Sequence, residues 1–237
     1  LEHMLFLGTD RYPTAGEYQE FIRSRGGSHN AYTSVDHTNY YFDIEASHLA
    51  GALDRFARFF VAPTLDSRLI ASERSVVHAE YSSKQEADGR RIWVARRQAL
   101  DPTHPQAGFA VGSEETLADR PGDQVADDLQ AFYLQHYHAG RMVLAVLGKE
   151  SLKDLEAMVR ARFDEVPVGT SHALPDPVAL YGADTMPLWQ IVEPKKELRQ
   201  LSFIFPVPSI RKLYATKPLS YVANLLGHEG PGSLFTG

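Results

Sequence analysis

Leu1-Glu2-His3-Met4-Leu5-Phe6-Leu7-Gly8-Thr9 sets an acid and an imidazole side by side within an apolar helical pattern, and Ser72-Glu73-Arg74-Ser75-Val76-Val77-His78-Ala79-Glu80-Tyr81 brings further titratable groups on a later helix. Glu73 and Glu80 are seven residues apart, which is two helical turns and so nearly one face. Taken alone, neither group asks for more than solvation: a Glu-His pair and carboxylates on a helix ordinarily face water. The chain of 237 residues has no cysteine, however, so any transition metal it holds must be bound by His, Asp or Glu.

Working outward, Thr14-Ala15-Gly16-Glu17 reads as a capping box, with a helix from about Ala15 to Arg25 that Gly26 and Gly27 end. Asn30 to Ser34 and Asn39 to Glu45, rich in Tyr, Thr and Phe, predict an antiparallel pair of strands. Ser47 caps an expected helix to about Phe60, with Leu49, Leu53, Phe56 and Phe60 on one face and Pro63 as the break. Asp66 starts a helix to about Glu86, and after Ala87-Asp88-Gly89 the stretch from Arg90 to Leu100 is helical again. Farther along, helices are expected over Asp123 to His138 and Ser151 to Phe163, with Met142 to Leu147 as a buried strand. The prolines between Pro167 and Pro187, including Pro175 and Pro177, mark a linker. Strands are expected again at Gln190 to Glu193 and Leu198 to Pro206, then a helix from Pro218 to Leu226 leading into Gly227-His228-Glu229-Gly230.

Composition narrows the class. With 43% hydrophobic and 23% charged residues, the chain can bury a full core. A net charge of -6 with scattered Lys and Arg gives none of the basic footprint of nucleic-acid binding, and no stretch approaches the roughly 20 apolar residues of a membrane span. The absence of an initiating Met and of a closing element after Gly230-Pro231-Gly232-Ser233-Leu234 makes the chain read as truncated at both ends.

The residues Leu1 to Thr9 resemble the right-hand part of the inverted zinc motif H-x-x-E-H and its apolar continuation in the insulinase/pitrilysin family of metallopeptidases. Gly26-Gly27-Ser28-His29-Asn30-Ala31-Tyr32-Thr33-Ser34, the run from His37 to Asp43, Ser113-Glu114-Glu115-Thr116-Leu117, the strand at Met142 to Gly148 and Leu226 to Leu234 also fall in family positions. The implied fold is α+β, an antiparallel-rich sheet packed by helices. Residues 1–170 would form the N-terminal peptidase domain without its first residues, 171–187 a linker, and 188–237 the start of a homologous second domain.

That resemblance implies Zn2+ held by His3, by Glu80, and by a first histidine two residues before Leu1. It makes Glu2 the general base, Glu73 a carboxylate that orients a ligand, and His78 a residue without a metal role. Asn30 and Ala31, on an edge strand, would take an extended peptide by strand addition. Gly227, His228 and Glu229 would help hold the substrate away from the metal. The implied activity is hydrolysis of peptides or small unfolded proteins by the whole polypeptide, this piece alone being inactive, with the missing C-terminal half or a partner subunit completing the site. Two alternatives stay open: a non-catalytic insulinase-like partner subunit, and a maturation protease for one precursor peptide. The compartment is open too, with bacterial periplasm favoured over cytoplasm by the resemblance.

Overall fold

A computed structural model describes residues 1–108, 111–170, 178–231 and 233. The expected linker prolines Pro175 and Pro177, and Gly232 and Leu234 of the C-terminal segment, lie outside the described residues. In chain order the elements are α1 (Glu17–Arg23), β1 (Ser28–Thr33), β2 (Thr38–Asp43), α2 (Leu49–Val61), α3 (Ser67–Gln85), α4 (Asp88–Gln98), α5 (Val125–His136), α6 (Leu152–Phe163) and α7 (Pro218–Gly227). Helices around a small antiparallel sheet make the class α+β.

The helix α2 organises the core. Ala52, Leu53, Phe56, Ala57 and Phe59 are all buried, a face wider than the Leu49, Leu53, Phe56, Phe60 stripe, because one side meets α1 and another meets α6. Leu5, Tyr18, Ile22, Phe59 and Tyr133 complete one apolar cluster, while Leu49, Leu53 and Leu155 form a second. A short 3-10 turn, His3–Phe6, replaces the expected helical start, and its Met4 and Leu5 are fully inside. Phe6 packs edge-on to Phe59 and also against Tyr18, His29 and Tyr40, with ring centres 5.2 to 5.9 Å apart. These contacts fix the turn that carries Glu2 and His3.

The β hairpin is positioned by two glycines. Gly26 has φ +70°, a left-handed backbone that a β-carbon disfavours. At Gly27 a β-carbon would meet the Asp43 carbonyl oxygen at 2.2 Å, so α1 passes into β1 only where no side chain stands. β1 and β2 pair from Ser28 opposite Asp43 to Thr33 opposite Thr38.

Several local expectations are corrected. The Thr14 capping box does not form: Gly16 is the N-cap of α1 with no side-chain bond, and Glu17 instead ion-pairs with Arg55 at 2.7 Å. The Ser47 cap is replaced by a 3-10 turn, Ala46–His48. Asp66 and Ser151 do cap α3 and α6, accepting from the backbone N–H of Arg68 and Asp154. Met142 to Leu147, expected as a buried strand, has no regular structure and no strand partner among the described residues, and Val143 and Leu147 are 99% and 95% exposed. The stretches 190–193 and 198–206 likewise have no strand partner among the described residues, with Ile191, Phe203 and Phe205 exposed. A strand exists only through ladder hydrogen bonds to a neighbour, so β propensity without a partner does not make one.

Candidate metal centre

Three segments meet at the surface beside the His3–Phe6 turn: the turn itself, the Thr33 end of β1, and the middle of α3. Burial of Met4 and Leu5 leaves Glu2 and His3 half-exposed. His3 Nδ1 lies 3.1 Å from Glu73 Oε2. A carboxylate only accepts, so this contact places the imidazole proton on Nδ1 and leaves Nε2 with the lone pair that binds metals. The side chains of the pair are 35% and 20% exposed.

Glu80, two turns beyond Glu73, stands close enough to His3 to interact with it electrostatically. Lys84, one turn on, hydrogen-bonds and ion-pairs with Glu80, and this contact chiefly holds the Glu80 carboxyl below the usual carboxylate range, with His3 a smaller contributor. Glu80 is therefore an anionic oxygen donor at neutral pH. The Oε2 of Glu2 accepts from the Thr33 hydroxyl at the end of β1.

A metal such as zinc takes imidazole nitrogen and carboxylate oxygen, and the donor set here fits it: Nε2 of His3, with its tautomer set by a carboxylate, and the carboxylate of Glu80. Among the described residues no group of three or more His, Asp and Glu could hold a metal by itself.

The structure brings Glu2, His3, Glu73 and Glu80 together, with Asn30 and Ala31 on the neighbouring strand. β1 pairs only with β2, so its other edge is open among the described residues. Asn30 Oδ1 accepts from the Ala31 N–H at 2.9 Å. By contrast, the hydrogen bonds described around Gly227, His228 and Glu229 are local: His228 N–H donates to Asn224 O, and Gly230 N–H to His228 Nδ1. None of the described contacts ties them to His3 or Glu80.

Two features escaped the sequence reading. Thr33 touches Glu2, a pairing across 31 positions that no local pattern announces. His78 accepts from the Glu114 N–H at 3.3 Å, while Arg74 donates to the Leu117 carbonyl at 3.0 Å, so the 113–117 loop braces α3 behind its carboxylates.

The profile of the family described as Insulinase (Peptidase family M16) matches residues 1–99, and that described as Peptidase M16 inactive domain matches residues 124–236. Insulin-degrading enzyme of Bos taurus is 39% identical over 239 residues, which covers 99% of this chain and 23% of that protein. Insulin-degrading enzyme of Drosophila melanogaster is 36% identical over 238 residues, covering 99% of this chain and 24% of its own length. The crystal structure of pitrilysin superposes with a TM-score of 0.70 at 34% identity, over 75% of this chain and 19% of pitrilysin. The chain thus spans about a quarter of the length of the curated relatives it matches. Motif, fold and relatives agree that this chain belongs to the insulinase/pitrilysin family, peptidase family M16.

Proposed function

We propose that the polypeptide to which this chain belongs is a zinc-dependent endopeptidase acting on peptides or small unfolded proteins. The observation that supports the reading is the Glu73–His3 contact, which in a neutral ring leaves Nε2 available to a metal, with Glu80 nearby and Glu2 hydrogen-bonded to Thr33. A further histidine is expected from sequence preceding Leu1.

Zinc, when bound, supplies the Lewis acidity that makes water a nucleophile near neutral pH and polarises a carbonyl. His3 and Glu80 would hold it, with Glu73 keeping the His3 ring oriented. Glu2 takes the proton from the attacking water and returns it to the departing amine. The open edge of β1 binds the substrate backbone by strand addition, with Ala31 offering main-chain groups and Asn30 its amide. Gly227, His228 and Glu229 are assigned to substrate holding on the second unit, whose remaining parts the whole polypeptide would supply.

The test uses the whole polypeptide, assayed for zinc content and for cleavage of a quenched fluorescent peptide before and after chelation. Stoichiometric zinc and chelator-sensitive cleavage are expected. Glu2→Gln should keep zinc and lose about 100-fold or more in kcat, the contribution of a general base. A folded polypeptide without zinc or cleavage would instead make it a non-catalytic partner subunit.

A further inference from the structure

The Glu2 carboxylate stands at the end of a row of hydroxyls. Thr33 Oγ1 donates to Glu2 Oε2. Thr33 and Thr38 are the opposed residues at the last rung of the hairpin, and their Oγ1 atoms are 3.2 Å apart. Glu2, Thr33 and Thr38 thus form a row across the last rung of the hairpin.

Each hydroxyl has one proton and an ionised carboxylate has none. The Thr33 proton is therefore committed to Glu2, so Thr33 accepts from Thr38.

We propose that Thr33 is a positioning residue for Glu2, with Thr38 holding its hydroxyl in the donating orientation. This rests on the reading of Glu2 as the base. A glutamate side chain has three rotatable bonds. Anchoring Oε2 on Thr33 restricts them and leaves Oε1 as the oxygen that meets the proton. Thr33 itself handles neither substrate nor metal.

In the whole zinc-loaded polypeptide, Thr33→Val should lower kcat about 10- to 100-fold, the cost of a slightly misplaced catalytic group. KM and zinc stoichiometry should stay within about twofold, and Thr33→Ser should restore kcat to within about threefold, because it keeps the donor. Thr33→Ala repeats the test should the larger side chain disturb the hairpin. In a Glu2→Gln background, Thr33→Val should change nothing more. Unchanged kcat in folded, zinc-loaded Thr33→Val, failure of Ser to rescue, or an equal loss in the Glu2→Gln background would each overturn the positioning role. Full turnover by Glu2→Gln alone would instead overturn the base on which it rests.

Discussion

Glu73 and Glu80 look equivalent in sequence, two carboxylates on one helix face, and the folded chain gives them different surroundings. Glu73 contacts the His3 ring directly, whereas Glu80 is held by Lys84 and stands near His3 without a direct hydrogen bond to it among the described contacts. The proposed division of labour between ligand and orienting group predicts unequal losses in the whole polypeptide. Glu80→Ala should abolish stoichiometric zinc, since it removes a donor atom. Glu73→Ala should weaken zinc binding about 10- to 100-fold, the usual cost of losing a partner that orients a ligating histidine. Zinc titration against a competing chelator distinguishes them, and the reverse order would exchange the two roles. Thr33 belongs to this scale too: its side chain is a small hydroxyl in a strand, ordinary in sequence, and its role comes from the Glu2 carboxylate to which it donates.

At the scale of the element, the α1–β1 junction determines where the candidate substrate edge lies. Gly27 is clasped by the Asp43 carbonyl, Ile22 and Ile44, with Ile22 Cγ2 and Ile44 Cα both 3.0 Å from a would-be β-carbon. Its own N–H also donates to the Ile22 carbonyl at 3.0 Å, closing the turn. Gly27→Ala should therefore destabilise the chain by about 1 to 3 kcal/mol, as overpacking does, and should displace Asn30 and Ala31 from the metal centre. Thermal or urea unfolding checks the first effect, and KM for a peptide in the whole polypeptide checks the second. An alanine variant as stable as the parent would show that the hairpin shifts freely. The helix starts divide by the same logic. Asp66 and Ser151 cap as their local sequence indicates, because capping joins a side chain to amides two or three residues on. Thr14 and Ser47 fail because the backbone ahead of α1 and α2 takes a different path.

Across the whole molecule, one buried cation ties distant segments together. Arg58 on α2 has only 5% of its side chain exposed, and it donates from Nε to Asp10 at 2.8 Å and from Nη1 to Glu165 at 2.7 Å. It thereby joins the loop after the His3–Phe6 turn to the end of α6. Arg58 lowers the carboxyl pKa of both partners. A carboxylate with a depressed folded pKa stabilises the fold above its unfolded value, near 4, and the contribution disappears as pH falls through the folded value. Unfolding free energy should therefore drop as pH falls below about 4, and Arg58→Met should flatten that acid limb while leaving a pH-independent loss of packing. An unchanged acid limb in the variant would show that other carboxylates set it; urea denaturation at stepped pH provides the measurement.

The chain order of helices and of the hairpin was legible in the sequence because periodicity, caps and glycine turns act within a few residues. The Glu2–His3 and Glu73–Glu80 pairs were legible through the family resemblance of the segments that hold them, since spacing alone left them as solvated side chains. What only the tertiary structure decided was which of those groups meet: that His3 turns to Glu73, that Glu2 is received by Thr33, and that Arg58 gathers Asp10 and Glu165. It also decided that 142–147 and 198–206 form no strand among the described residues despite strong β propensity. Propensity belongs to a residue, but a ladder or an ion pair across the chain requires a second partner in the right place, and packing around α2 and the hairpin sets that place.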